Sequence, residues 1–311
     1  MKALICGSFA YDTILAFPDR FKNHILPEKI HILNVAFVTS DMRREFGGTA
    51  GNIAYNLRLL GGDGAAMGTV GRDFDPYAAW MDKHGVDRSL VKVIDEEFTA
   101  QAVITTDLDD NQITAFHPGA MAFSHQTKAT EARGVSLAIL SPDGREGTIA
   151  HAEQCAEAGI PFIFDPGQNT PVFTADEYAR FIDIATFMTV NDYEWELVQS
   201  KCGLTLDQAR AKLDALIVTR GGQGSIIYTP DAEYQIPVAK PAKVVEPTGC
   251  GDAFRAGLMY GLMNKLDWEI TGRIASLMGA YNIAQHGTQN HHFSRSEFEG
   301  RFKENFGMAM S

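Results

Sequence analysis

Short apolar runs alternate with longer amphipathic ones along most of this chain. Residues 3–6, 65–70, 135–140, 162–165, 186–191, 215–219 and 225–228 are apolar stretches of strand length, several closed by Gly, Asp or Asn. Such runs read as strands buried in a sheet. Ala50, Ile53, Ala54, Leu57 and Leu60 recur at helical spacing and stop at Gly61-Gly62, so a helix is expected from Phe46 to Leu60. Further helices are expected over 75–84, 147–158, 175–184, 192–200 and 205–213, and another opens at Asp252. Repeated strand–helix units after residue 130 predict an α/β fold, with a central, mostly parallel sheet covered by helices on both faces.

Two segments break the alternation. Residues 13–45 are polar and irregular, with no helical period. Residues 99–106 and 112–116 are rich in Thr and β-branched side chains and flank the polar turn 107–111, a β-hairpin signal. Together they predict a small β-sheet lid, from about 12–45 and 96–118, added to one domain spanning 1–311.

Composition narrows the class. Hydrophobic residues make up 45% and charged ones 21%, ordinary for a globular domain. The net charge of −12 argues against nucleic acid or an anionic membrane as partner. No apolar run approaches the ~18–20 residues of a membrane span, and residues 3–6 are too short for a secretory segment. The expectation is a cytoplasmic monomer or homodimer. Cys6, Cys155, Cys202 and Cys250 are scattered without paired spacing, which predicts free thiols.

The sharpest chemical signal is Glu246-Pro-Thr-Gly-Cys-Gly-Asp252 before an apolar helix. Gly249, Cys250 and Gly251 leave unpaired N–H groups at a helix start, an anion site, and Asp252 adds a carboxylate able to take a proton from a hydroxyl. The same pattern also fits a tight turn with an acidic first helical turn. Other clusters have two readings each. Asp12 is a ligand or a turn residue. Gly47, Gly48 and Asn52 at a helix start imply a ligand or close helix–sheet packing. Asn191 and Glu194 could share a water or a Mg²⁺-bound phosphate, or form a capping box. Thr219-Arg-Gly-Gly-Gln-Gly224 suits a polyphosphate or a tight hairpin. Asp165-Pro-Gly-Gln168 is a strand-end site or a plain turn. Phe98, Phe116 and Phe123 are stacking residues or simple core. P-loop, dinucleotide G-x-G-x-x-G, H-E-x-x-H and G-x-S-x-G motifs are absent.

Taken in order, Gly7-Ser8…Asp12, Gly47-Gly48…Asn52, Asn191-x-x-Glu194, Thr219-x-Gly-Gly-x-Gly and Thr248-Gly-Cys-Gly-Asp252 resemble the ribokinase/PfkB family of small-molecule kinases over nearly the whole chain. Phe116-His-Pro-Gly-Ala-Met121 and Asp165-Pro-Gly-Gln168 are most similar to its bacterial adenosine-kinase-like branch. The resemblance implies a ribokinase-like fold and ATP-dependent phosphorylation of a nucleoside 5′-hydroxyl. Adenosine to AMP, a purine-salvage step, is the first expectation, and inosine, guanosine or ribose are the alternatives. It implies that Gly249, Cys250 and Gly251 form an anion hole and that Asp252 is the base. Asp12, Gly47, Gly48 and Asn52 would hold ribose, while Phe98, Phe116 and Gln168 would meet the base. Asn191 and Glu194 would order Mg²⁺ through water, and Thr219, Arg220, Gly222, Gly224 and Asn282 would lie on the ATP side. Many relatives carry Asp six residues before the catalytic Asp, at a monovalent-cation site. Glu246 stands there in this chain, so K⁺ dependence is left open. The intact glycines around Asp252 argue against a silent binding protein.

Overall fold

A computed structural model describes residues 1–32 and 34–310. Leu33, inside the segment expected to contribute to a lid, lies outside the described residues. Strand β1 (Lys2–Cys6) sits inside a nine-stranded sheet because both of its faces are apolar. Ala3 and Ile5 enter one core cluster, with Ile53, Leu57, Leu258 and Met259. Leu4 and Cys6 enter the other, with Phe164, Tyr178, Phe181 and Val198. This alternation is the two-residue period of a strand covered on both sides.

On one side β1 pairs in parallel with β4 (Asp63–Gly71), and β5 (Asp87–Ile94) lies beyond it. On the other follow β8 (Val135–Leu140), β9 (Phe162–Phe164), β10 (Phe187–Asn191) and β11 (Ala215–Thr219), all parallel. Antiparallel β12 (Ser225–Tyr228) and β13 (Glu233–Ile236) close that edge. Helices α1 (Thr49–Leu59), α2 (Asp75–Lys83) and α7 (Cys250–Met263) supply side chains to the first cluster. Helices α3 (Arg145–Glu157), α4 (Ala175–Ile184), α5 (Asp192–Cys202) and α6 (Leu206–Lys212) supply the second. Helices α8 (Trp268–Asn282) and α9 (Arg295–Phe306) pack behind α7. Among the described residues no helix is long and apolar enough to cross a membrane.

A separate four-stranded sheet has the order β3 (Asp41–Gly47), β2 (Ala10–Ala16), β6 (Ala100–Thr106), β7 (Gln112–His117). Here the structure departs from the sequence reading. Asp12 lies within strand β2 rather than in a turn after β1. Phe46 and Gly47 end β3, and helix α1 begins only at Thr49. The corner is Gly48, at φ +87, where a Cβ would run into Ser8 O and the Ala10 backbone. It joins the small sheet to a helix of the main body.

Candidate active site

Helix α7 opens with Gly249 in the left-handed region, φ +79, and no side chain caps it. Cys250, Gly251 and Asp252 form its first turn; Cys250 N–H donates to Pro247 O at 3.1 Å, while the N–H groups of Gly251 and Asp252 have no helical partner. Asp252 is thus in the first helical turn rather than at its opening, with its carboxylate beside those donors. Asn282 lies beneath the turn: its Nδ2 donates to Thr248 O at 2.7 Å and its Oδ1 finds no partner.

Asp252 is held from the α1 side. Asn52 Nδ2 donates to Asp252 Oδ2 at 2.7 Å. The amide cannot turn over, because Asn52 Oδ1 accepts from Gln289 Nε2 at 2.9 Å and lies 2.7 Å from Thr288 Oγ1. Gln289 is itself fixed by Trp80 Nε1, donating to its Oε1 at 3.0 Å, and by Tyr77, whose hydroxyl donates to Gly47 O at 2.9 Å. Thr288, Gln289, Tyr77 and Trp80 carry no local motif and were not legible as site residues. Burial pushes the Asp252 carboxyl up to about 6; Arg255 and the Asn52 hydrogen bond pull it down, and Asp165 and Asp12 push it up. Burial, with Glu246 and Glu45 nearby, likewise raises Asp12 to about 6.

On the other side Asp252 lines a cavity of about 910 Å³. Gly249, Cys250, Gly251, Gln168, Asn191, Glu194, Thr219, Gly222 and Gly224 line it too. Asn191 and Glu194 do both things the sequence allowed. They form a reciprocal capping box, with Glu194 N–H to Asn191 Oδ1 at 2.7 Å and Asn191 N–H to Glu194 Oε2 at 2.8 Å, and they still face the cavity. Burial raises the Glu194 carboxyl above its ordinary value. The far wall is apolar, from Val238, Ala239, Pro241, Val244, Ala280 and Ile283. Nothing in the sequence pattern of 237–244 marked it. Arg220 does not line the cavity; its guanidinium reaches Gln223 O and Gln235 Oε1.

Of the remaining sequence-nominated residues, Asp12, Gly47 and Phe116 lie on the small sheet. Asp12 packs over Gly47, in a row of directly paired residues Glu45, Asp12, Ala102 and Phe116 that crosses all four strands. Paired residues share a face, so Phe116 stands on the Asp12 side, two strands or ~10 Å away, with the small Ala102 between. Phe116 is 53% exposed. Phe98, just before β6, is half exposed and carries the Arg72 guanidinium 4.0 Å over its ring. Phe123 is in a short 3-10 segment after β7. Glu246 is already engaged: Arg43 Nη2 donates to its Oε2 at 3.1 Å and Gly287 N–H at 3.3 Å.

Comparison with known proteins places these features in context. The pfkB family of carbohydrate kinases matches residues 24–294. The chain is 30% identical over 264 residues to a nucleoside kinase of Methanocaldococcus jannaschii, covering 84% of this chain and 87% of that protein. It is similar in structure to Burkholderia thailandensis nucleoside kinase in complex with inosine, with a TM-score of 0.90, 50% identity and 99% of each chain covered. The same Burkholderia protein in complex with ADP-inosine gives a TM-score of 0.88 at 51% identity, over 99% of this chain and 97% of that one.

Proposed function

Because this chain belongs to the pfkB family of carbohydrate kinases, and is a phosphotransferase acting on a hydroxyl acceptor, we propose that it phosphorylates the 5′-hydroxyl of purine nucleosides with ATP. One observation carries the reading: the Asp252 carboxylate is tied to Asn52 on one side and opens on a large cavity on the other. Beyond Asn52, toward α1 and the small sheet, lie Asp12 and Phe116. The cavity, toward the sheet edge, has an apolar wall and a glycine-rich polar floor.

The chemistry follows from that position. ATP enters this cavity with its base on the apolar wall and its phosphates against Asn191, Thr219, Gly222 and Gly224. Its magnesium ion arrives with the phosphates as part of the substrate. Among the described residues no three acidic, His or Cys side chains converge on one point, which suits an ion held by phosphate and water rather than by a protein cage. The acceptor ribose lies on Asp12, Gly47, Gly48 and Asn52. Its 5′-hydroxyl gives its proton to Asp252 and attacks the γ-phosphorus, whose developing charge meets the N–H groups of Gly249 and Gly251, and that of Cys250 once it leaves Pro247 O. A carboxyl near 6 is ionised at neutral pH yet more basic than an exposed one, as this task needs.

Phe116 supports a planar acceptor, because an exposed ring on the Asp12 face, two strands or about 10 Å from Asp12, is placed to stack on a nucleobase rather than to fill a core. Inosine stands beside adenosine as substrate, since a protein 50% identical has a structure in complex with inosine. The test is ATP-dependent phosphorylation of adenosine, inosine, guanosine, cytidine and ribose. Turnover of purine nucleosides is expected; turnover of ribose alone would overturn the base-stacking role and the nucleoside reading with it.

A further inference from the structure

A site for ATP must neutralise a polyphosphate, yet the side chains around this cavity are mostly of the wrong sign. Asp165, Asp192, Glu194 and Asp252 line it, and among the described residues Arg255 is the one cation in its wall. We propose that Arg255 is a further catalytic residue, whose free guanidinium N–H groups contact the transferring phosphoryl group while Asp165 holds the guanidinium in place.

Position on the helix sets this up. Arg255 follows Gly251 by four residues and Asp252 by three on α7, so all three share one face. A long helical side chain runs back toward the N-terminus, here toward the anion-binding turn. Nε and Nη2 are consumed by Asp165, at 2.5 Å to Oδ2 and 2.6 Å to Oδ1. This is a bidentate pair that fixes the plane of the guanidinium. Asp165 directly follows β9 and also accepts from Ser141 Oγ at 2.9 Å, so the clamp is anchored to the main sheet. Nη1 makes no hydrogen bond among the described residues. It lies against Gly251, 2.6 Å from where a Cβ at that position would stand. The free end of the guanidinium is therefore beside the backbone N–H groups of the turn and close to the Asp252 carboxylate.

A buried ion pair is a weak device for stability alone, because apolar residues of equal volume usually serve as well. Here the pair leaves one corner of the cation unsatisfied and facing the cavity. During transfer the bond from the 5′-oxygen to the γ-phosphorus forms as the bond to the β,γ-bridging oxygen breaks. The electron pair leaves with ADP and the hydroxyl proton goes to Asp252. Arg255 keeps its protons and stabilises the charge on the equatorial oxygens, adding a cationic donor to the neutral backbone ones.

The assignment rests on the kinase reading, so wild-type transfer from ATP to inosine and adenosine is measured first. Absence of transfer would overturn both. With an active wild type, Arg255→Lys keeps the charge but loses the fork. The double variant Asp165→Asn with Arg255→Gln removes the cation without orphaning a buried carboxylate. In each, kcat is expected to fall by about 10²–10³-fold, the usual loss for one transition-state donor. The nucleoside KM should stay within about threefold, and millimolar guanidinium should restore part of the kcat of Arg255→Ala. A kcat within about threefold of wild type in the double variant would overturn the assignment. So would a fall in kcat matched by an equal rise in nucleoside KM and without guanidinium rescue, the signature of a tie that merely spaces α7 from β9.

Discussion

At the residue scale the account turns on one carboxylate and what surrounds it. Burial favours the protonated form of Asp252 and pushes its carboxyl up to about 6, and Arg255 and Asn52 keep it from rising further. Asp252→Asn keeps the shape and the Asn52 contact but removes the base. Its kcat should drop by about 10²–10⁴-fold, while calorimetry finds nucleoside affinity within about threefold of wild type. The base works only when ionised, so kcat/KM should fall as the pH drops through about 6, nearly tenfold per unit below it. Asp12 pushes Asp252 upward, so Asp12→Asn should move that acid limb to lower pH while raising the nucleoside KM. A limb that stays in place would mean that the two carboxylates do not sense each other. The glycine turn and Asp252 were legible in the sequence because they are contiguous and of unusual composition. Gln289 and Thr288 were not, since a buried amide relay from Trp80 to Asn52 is assembled from residues more than 200 positions apart.

At the element scale, the strands of the main sheet were readable because burial on both faces leaves unbroken apolar runs, as in β1, β8 and β11. Strands β2 and β3 were not. One face carries Asp12, Arg43 and Glu45, and on the other Tyr11 and Phe46 reach the core while Thr13 and Arg44 interrupt the run, so neither shows an apolar period. Helix α9 did leave a signal that could have been used: Ser294 and Glu297 form a capping box, and Phe298 and Phe302 stand four residues apart, both fully buried. The row across the small sheet makes its own prediction. Phe116→Ala should raise the nucleoside KM by about tenfold, or ~1.4 kcal/mol, and leave the ATP KM unchanged. Equal losses for both substrates would remove the small sheet from the acceptor site. The same sheet reaches the loop before α7 through Arg43, whose guanidinium already meets the Glu246 carboxylate. Replacing K⁺ by a bulky organic cation should therefore change kcat by less than about twofold, whereas Arg43→Ala should make the rate cation-sensitive. A strong K⁺ requirement in the wild type would contradict that role for Arg43.

At the scale of the whole molecule, stability and activity should respond to pH in opposite directions. Burial pushes the carboxyl of Asp143, between β8 and α3, up to about 8, with the Gly144 N–H as its lone opposing influence, and its Oδ2 has no partner. The folded chain thus holds this proton more tightly than the unfolded chain, where an Asp titrates near ~3.9. The stabilisation is complete below the unfolded value and is lost as the pH rises through about 8. Wild-type Tm should fall between pH 6 and pH 9, and Asp143→Asn should flatten the fall; parallel curves would show that Asp143 does not carry it.

The architecture brings a small sheet and a large one to the two sides of Asp252, and that convergence is tested most directly by product analysis. Wild type and Asp252→Asn are incubated with ATP and either inosine or adenosine at pH 7.5, and nucleoside 5′-monophosphate is quantified. Formation of the 5′-monophosphate by the wild type, with loss of at least about 10²-fold in the variant, is the expected result. Equal product from both proteins, or none from the wild type, would contradict the assignment of Asp252 as the base of a nucleoside kinase.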